Sequence, residues 1–240
     1  MKVVEPSMTV EMDPGEAAAM LKRVERAGRT CYQSDWKVGP GTAPDFVRMI
    51  IKRGHESVLE HEKVTVRVVC DRGVSHELVR HRLASYSQES TRFCNYAGDR
   101  FGGELTFIRP PWVSAGVESE ASLAWYTAMR DAEASYLKLL ELGWRPEQAR
   151  AVLPTSLKTE IVVTANLREW RLIFKLRTAA PAHPQMRQVM VPLRAALAVM
   201  LAPVFDDLAP AADAPAPAVV LERDRPDLEP HVLVAEEVAW

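Results

Sequence analysis

Two short β-branched runs, far apart and set among long helical stretches, constrain the fold of this 240-residue chain more than any other feature. Val64, Val66 and Val68 alternate with Thr65, Arg67 and Val69, the two-residue period of a mostly buried strand. Thr159 to Thr164 is again β-branched and apolar and predicts a second strand. Glu118 to Leu142 predicts a long helix ended by Gly143. Pro184 to about Val204 predicts another, disturbed at Pro192. Strands and helices follow no regular βαβ rhythm, so the expected class is α+β.

Shorter signals fill in the rest. Asp13-Pro14-Gly15-Glu16 reads as a helix start, with a capping Asp, Pro at the first position and Glu at the third. That helix is expected to run to about Ala27 and stop at Gly28. Gly39-Pro40-Gly41 marks a loop, and Phe46 to Ile51 a short amphipathic helix. Leu78 to Leu83 predicts a helix feeding a Ser-rich loop at 85–91. Residues 95–113 read as loop with a strand candidate at 104–108, and Pro146 to Leu153 as a short helix stopped by Pro154. Asn166 can cap a helix over 167–177, with Glu169 at its third position. There are no repeats. Residues 1–205 form the expected domain; 206–240 is a tail whose Ala/Pro/Asp-rich first part, 206–217, is expected to be mobile.

Charge and cysteines limit the function classes. Lys plus Arg is 30 and Asp plus Glu is 32, which argues against a partner that is a nucleic-acid polymer. Positive charge is local, around residues 67–92 and 168–194, and suits a small anionic ligand. No run of eighteen apolar residues occurs, so no membrane span is expected, and Met1 to Pro6 lacks a signal peptide's apolar core. Cys31, Cys70 and Cys94 form no Cys-x-x-Cys pair; they fit free thiols in a reducing cytoplasm and make a zinc site unexpected.

The chemistry concentrates in Glu77-Leu78-Val79-Arg80-His81-Arg82-Leu83-Ala84-Ser85-Tyr86-Ser87-Gln88-Glu89-Ser90-Thr91-Arg92. Three guanidinium groups and an imidazole in thirteen residues suggest a phosphorylated ligand, because guanidinium grips phosphate in bidentate bonds. On arginine density alone a solvated basic helix end is the better reading; the fixed order of residue types changes that weighting. On a helix, successive side chains turn by about 100°, so residues 80–82 cannot enter one pocket from one helix. That predicts two ligands, or ligands held between subunits. A second cluster, His55-Glu56-Ser57-Val58-Leu59-Glu60-His61, fails as a zinc-protease motif because Leu59 replaces the second His. It reads equally well as a surface loop. Arg150 before Val152-Leu153-Pro154 is by itself an ordinary helix-end cation. Trp170 and Phe174 read as the apolar stripe of an amphipathic helix.

The order Arg-His-Arg, seven residues, Ser resembles the signature of flavin-dependent thymidylate synthases, and companion segments from about His55 to Arg187 follow in the same order. The resemblance implies a thymidylate synthase-complementing-like fold: a single domain with a small antiparallel-rich sheet, assembled as a homotetramer. It implies methylation of dUMP to dTMP, with methylenetetrahydrofolate giving the carbon and NADPH-reduced FAD giving the hydride. It places His55, Ser57, Arg80, His81, Arg82, Gln88, Asn166, Arg168 and Leu172 around the flavin. His55 and Ser57 alternatively shape the pocket for folate and nicotinamide. It places Glu77, Arg80, Gln88, Glu89, Ser90, Thr91, Arg92, Arg150 and Arg177 around dUMP. Ser90 is expected to bind substrate, since no His-base arrangement is visible to make it a nucleophile. Arg177 is the expected catalytic residue: it stabilises negative charge on the pyrimidine N3/O4 edge, which makes C5 more nucleophilic. Leu172 stands where the family often has His or Asn, Phe93 replaces the usual Tyr, and Ser87-Gln88 replaces Asn-Glu. Weaker or rearranged contacts are expected there, with activity retained. No Rossmann fingerprint, P-loop or Pro-Cys-His segment occurs. The competing readings are a non-catalytic nucleotide binder and an RNA- or DNA-binding module.

Overall fold

The alternating valines form the middle of a five-stranded sheet. The computed structural model describes residues 1–13, 15–98, 103–208 and 219–221. Strands β1 (Lys2–Val4) and β2 (Ser7–Glu11) open the chain, followed by helices α1 (Glu16–Thr30) and α2 (Thr42–Lys52). Strand β3 (Lys63–Asp71) buries Val64, Val66, Val68 and Cys70 on one face. Helix α3 (Arg72–Leu78) and strand β4 (Ala84–Gln88) come next. Then follow β5 (Thr106–Ile108), α4 (Glu120–Glu141), α5 (Pro146–Ala149) and β6 (Lys158–Asn166). The chain continues through α6 (Leu167–Arg177), α7 (Pro184–Met200), α8 (Ala202–Phe205) and β7 (Val219–Leu221).

The strand order is β4-β6-β3-β2-β7. β3 pairs antiparallel with β6, Val66 opposite Val163, and with β2, Val68 opposite Met8. β4 pairs antiparallel with β6, while β7 joins the far edge parallel to β2. β1 and β5 form a separate parallel pair. One sheet face is apolar and covered by α1, α2, α6, α7 and α8. The other is polar: Thr65 and Thr164 hydroxyls lie 2.9 Å apart, and Arg67 pairs with Glu160 and Glu11. Antiparallel sheets commonly divide in this way. Trp170, Phe174 and Phe205 fill the centre of the core. Trp170 also donates its indole N–H to the Val64 carbonyl at 3.0 Å, tying α6 to β3. Tyr96, Leu105, Phe107, Met129, Tyr136 and Leu157 make a second apolar cluster under α4.

Several expectations are corrected. Helix α1 continues through Gly28 to Thr30. Gly28 is buried, and a Cβ there would lie 2.5 Å from a Phe46 ring atom, so its missing side chain permits α1 to approach α2 closely. At the start of α1 the expected capping by the Asp13 side chain is not formed: Gly15, at φ +85°, is the cap residue, the Glu16 N–H goes to the Asp13 backbone carbonyl and the Asp13 N–H to the Glu16 carboxylate, while Pro14 lies outside the described residues. The helix expected at 78–83 lies earlier, because the Asp71 carboxylate caps Val74 N–H at 2.9 Å. It ends at Leu78, and 85–88 of the expected Ser-rich loop belong to strand β4, with Tyr86 inward and Ser85 and Ser87 exposed. α7 runs straight through Pro192; the break falls at Leu201, before Pro203 opens α8. Helix α4 ends as expected, with Gly143 at φ +88°. Cys31, Cys70 and Cys94 form no disulfide with one another. Of the tail, residues 209–218 and 222–240 lie outside the described residues, and 219–221 form β7.

Candidate active site

The Arg80-His81-Arg82 segment is a tight turn between α3 and β4. Its backbone bends through bonds from Arg80 N–H to the Glu77 carbonyl and from His81 N–H to the Leu78 carbonyl. The Tyr86 hydroxyl lies 2.7 Å from both the Leu78 and His81 carbonyls and donates to one or the other. Burial, and then the Glu169 charge, push its phenol up to about 12, so it remains a donor at neutral pH. The turn sends the three side chains apart: Arg80 and Arg82 are exposed, His81 is buried.

His81 leads to α6. Arg177 donates from Nε to His81 Nε2 at 3.0 Å, and from its terminal nitrogens to the Glu77 carboxylate at 2.8 Å and the Glu77 carbonyl at 3.2 Å. On the other side of the ring, Nδ1 lies 3.4 Å from Glu169 Oε1. Glu169 and Arg177 are eight residues apart on α6, roughly 12 Å along its axis, and the imidazole spans the gap. Burial, and then the Arg177 charge, lower the His81 pKa; burial raises that of Glu169. The guanidinium is therefore held at three points by two residues 96 and 100 positions away in sequence.

The far end of β4 carries a second cluster. Gln88 points to the inner side of the sheet, its amide N–H₂ donating to Ser75 and Thr159 hydroxyls at 2.9 and 3.2 Å. Glu89 accepts from Tyr96 at 2.8 Å and Lys158 at 2.9 Å. Both residues are thus held by groups of the same chain. Arg150 donates to the Thr91 hydroxyl at 3.2 Å, and Arg92 lies 3.6 Å from Glu147. The short helix α5 and the 3₁₀ turn Arg150–Val152 are what bring Arg150 there. Ser90 accepts the Arg92 N–H on its hydroxyl. Arg177 is tied to the chain just before β4, at Glu77 and His81, and Arg150 to the chain just after it, at Thr91.

The third group lies where the 3₁₀ segment Glu56–His61 meets α6. Exposed His55 and Ser57 flank Glu56, and Arg168 pairs with Glu60 at 2.5 Å. Arg168, Leu172 and Leu176 form an exposed stripe along α6. Asn166 caps α6 as expected, its Oδ1 accepting Glu169 N–H at 2.8 Å.

Three residues with structural weight here were missed. Glu169 appears in sequence only as a capping-box partner. Lys158 holds Glu89 from a neighbouring strand. Arg171 is almost fully buried and binds Asp207 with two bonds of 2.6 and 2.8 Å, Glu56 at 3.2 and 3.3 Å, and the Val204 carbonyl. A signal did exist: Glu169 and Arg171 interrupt the apolar stripe of Leu167, Trp170, Ile173 and Phe174, and a charge on a buried face requires a partner. Among the described residues there is no cluster of His, Cys, Asp and Glu able to hold a metal, and no helix long and apolar enough to cross a membrane.

The profile of the family described as thymidylate synthase complementing protein matches residues 17–203. A protein of Mycobacterium sp. (strain JLS) named flavin-dependent thymidylate synthase is 35% identical over 228 residues, spanning 85% of this chain and 85% of its own. One of the same name from Mycobacterium tuberculosis (strain ATCC 25177 / H37Ra) is 36% identical over 219 residues, spanning 83% and 82%. Among solved structures, the UMP/dUMP methylase PolB from Streptomyces cacaoi, crystallised with 5-Br dUMP, superposes with a TM-score of 0.69. It is 21% identical, with 86% of this chain and 96% of that one covered, and so speaks for the shared fold.

Proposed function

The chain belongs to the thymidylate synthase complementing protein family, and we propose that it converts dUMP into dTMP by flavin-dependent reductive methylation. Methylenetetrahydrofolate, NADPH and one proton are consumed, and tetrahydrofolate and NADP⁺ are released with dTMP. The observation that carries this reading is the convergence of Glu77, His81 and Arg177 from segments distant in sequence. It holds a guanidinium in one orientation by three bonds, the preorganisation that stabilising charge on a reacting ring requires.

Arg150, with Thr91 and Arg92 beside it, binds the substrate phosphate in charge-assisted bonds. Arg177 faces the pyrimidine N3/O4 edge and stabilises the negative charge that develops there. Glu77 and His81 orient it. Gln88 and Glu89, pinned by their own neighbours, shape the wall between the two ends. Ser90 and Thr91 supply hydroxyls, not a nucleophile.

The donor set suits a flavin dinucleotide: Arg80 and Arg82 are exposed beside the turn, and Arg168, Asn166, His55, Ser57 and Leu172 lie along the α6 face. Arg80 and Arg82 would bind the pyrophosphate of FAD, while Leu172 offers an apolar surface. Bound FAD, reduced by NADPH, would supply the hydride. The His81 ring is enclosed, so its contribution to the flavin would come from its backbone. Exposed Leu172 and Leu176 on α6 support an interface between subunits, and the assembly proposed is a homotetramer in the cytoplasm with sites between subunits.

Anaerobic turnover of dUMP with methylenetetrahydrofolate, NADPH and FAD tests the reading. It should yield dTMP, and NADPH should bleach the yellow protein. A colourless protein that binds dUMP and makes no dTMP would leave only a nucleotide binder. Light scattering tests the tetramer.

A further inference from the structure

The partners of His81 specify where its proton sits. A guanidinium has only N–H groups to offer and accepts nothing. Arg177 Nε–H points at His81 Nε2 from 3.0 Å, so Nε2 must present a lone pair. A doubly protonated ring, or a neutral ring with its proton on Nε2, would set N–H against N–H. Only the neutral ring with its proton on Nδ1 fits, and Nδ1 is the atom that lies 3.4 Å from Glu169 Oε1. His81 and Glu169 are 6% and 5% exposed, which limits solvent as an alternative partner. The other groups around them are Glu77, which binds Arg177, and the Tyr86 hydroxyl, which faces the His81 carbonyl.

We propose that Glu169 is a positioning residue: its carboxyl selects the Nδ1–H tautomer of His81, which makes Nε2 the acceptor that aims Arg177 at the pyrimidine. The role of Arg177 toward the pyrimidine rests on the functional reading above; the tautomer does not. Arg177 would otherwise keep only Glu77 and could swing toward solvent.

The test uses full-length protein labelled with ¹⁵N in histidine, together with Glu169→Gln and Glu169→Leu. Long-range proton–nitrogen spectra without ligands should show Nδ1 of His81 as the protonated nitrogen and Nε2 as the bare one. Glu169→Gln keeps an acceptor oxygen without the charge, so the tautomer should persist and dUMP affinity should stay within about threefold of wild type. Glu169→Leu removes the acceptor; the tautomer should mix, and dUMP binding and kcat should each fall on the order of tenfold. A wild-type His81 protonated on Nε2, or on both nitrogens, overturns the proposal. So does a folded Glu169→Leu with unchanged dUMP affinity. If Glu169→Leu does not fold, Glu169→Gln still decides: lost dUMP affinity with an intact tautomer would assign the effect to charge and refute selection. A wild type with the expected tautomer that fails to bind dUMP would instead refute the functional reading, and with it the positioning role.

Discussion

Replacing Arg171 with Met removes a buried guanidinium while keeping most of its apolar stem. Four acceptors lose the Arg171 guanidinium: both Asp207 oxygens, Glu56 and the Val204 carbonyl, of which Glu56 keeps the Lys175 ammonium at 3.7 Å. Breaking a buried ion pair from one side costs about 3–5 kcal/mol, because the remaining charge is uncompensated. Here the two carboxylates are not fully enclosed, Asp207 being 45% and Glu56 20% exposed, so water and the Lys175 ammonium can reach them. A loss of about 2–3 kcal/mol is therefore expected. Urea unfolding at fixed protein concentration measures it, as a lower midpoint with an unchanged slope. The pH dependence carries a second signature. The hydrogen bond from Arg171 holds the Asp207 carboxyl below its ordinary value of 3.8. A depressed folded pKa contributes stability that is present above the unfolded value and lost as pH falls through the folded one. Wild type should lose that part of its stability below about pH 4, and Arg171→Met should lack this acid-sensitive part. Glu56 also sits between His55 and Ser57, so the variant should bind FAD more weakly in a fluorescence titration. A stability change below about 1 kcal/mol, with an unaltered acid limb, would refute the assignment of Arg171 as the anchor of this corner.

Three further outcomes are expected. Arg177→Ala should lower kcat for dUMP by on the order of 10²–10³, the loss typical of one charge-stabilising donor; steady-state turnover that matches wild type would remove the residue from its role. Arg150→Ala should weaken dUMP by about tenfold or more, measured calorimetrically, with little change in FAD affinity, because Arg150 sits at the other end of β4 from the flavin-side arginines. Gly28→Ala should destabilise the protein by about 1–3 kcal/mol in thermal or urea unfolding, since the new methyl would press on Phe46 and, at 3.2 Å, on Val58; a neutral result would mean that α1 and α2 separate at no cost.

Features set by neighbours along the chain were legible in the residues alone. The period of Val64, Val66 and Val68 gave β3, Asn166 and Glu169 gave the start of α6, and the glycine after Leu142 gave the end of α4. The order of arginines gave the family and the candidate residues. Features that need a distant partner emerged only on folding. Ser85-Tyr86-Ser87 has weak strand propensity, and it became a strand because β6 lies beside it and the core takes Tyr86. Gly28 is a helix stop only in the absence of Phe46. Arginine density could not say that Arg80 and Arg82 face solvent while His81 turns inward between Glu169 and Arg177. Propensity and capping act over three or four residues, so they are written locally. The ionisation and aim of a buried side chain are set by the few groups within about 4 Å, which the fold alone assembles.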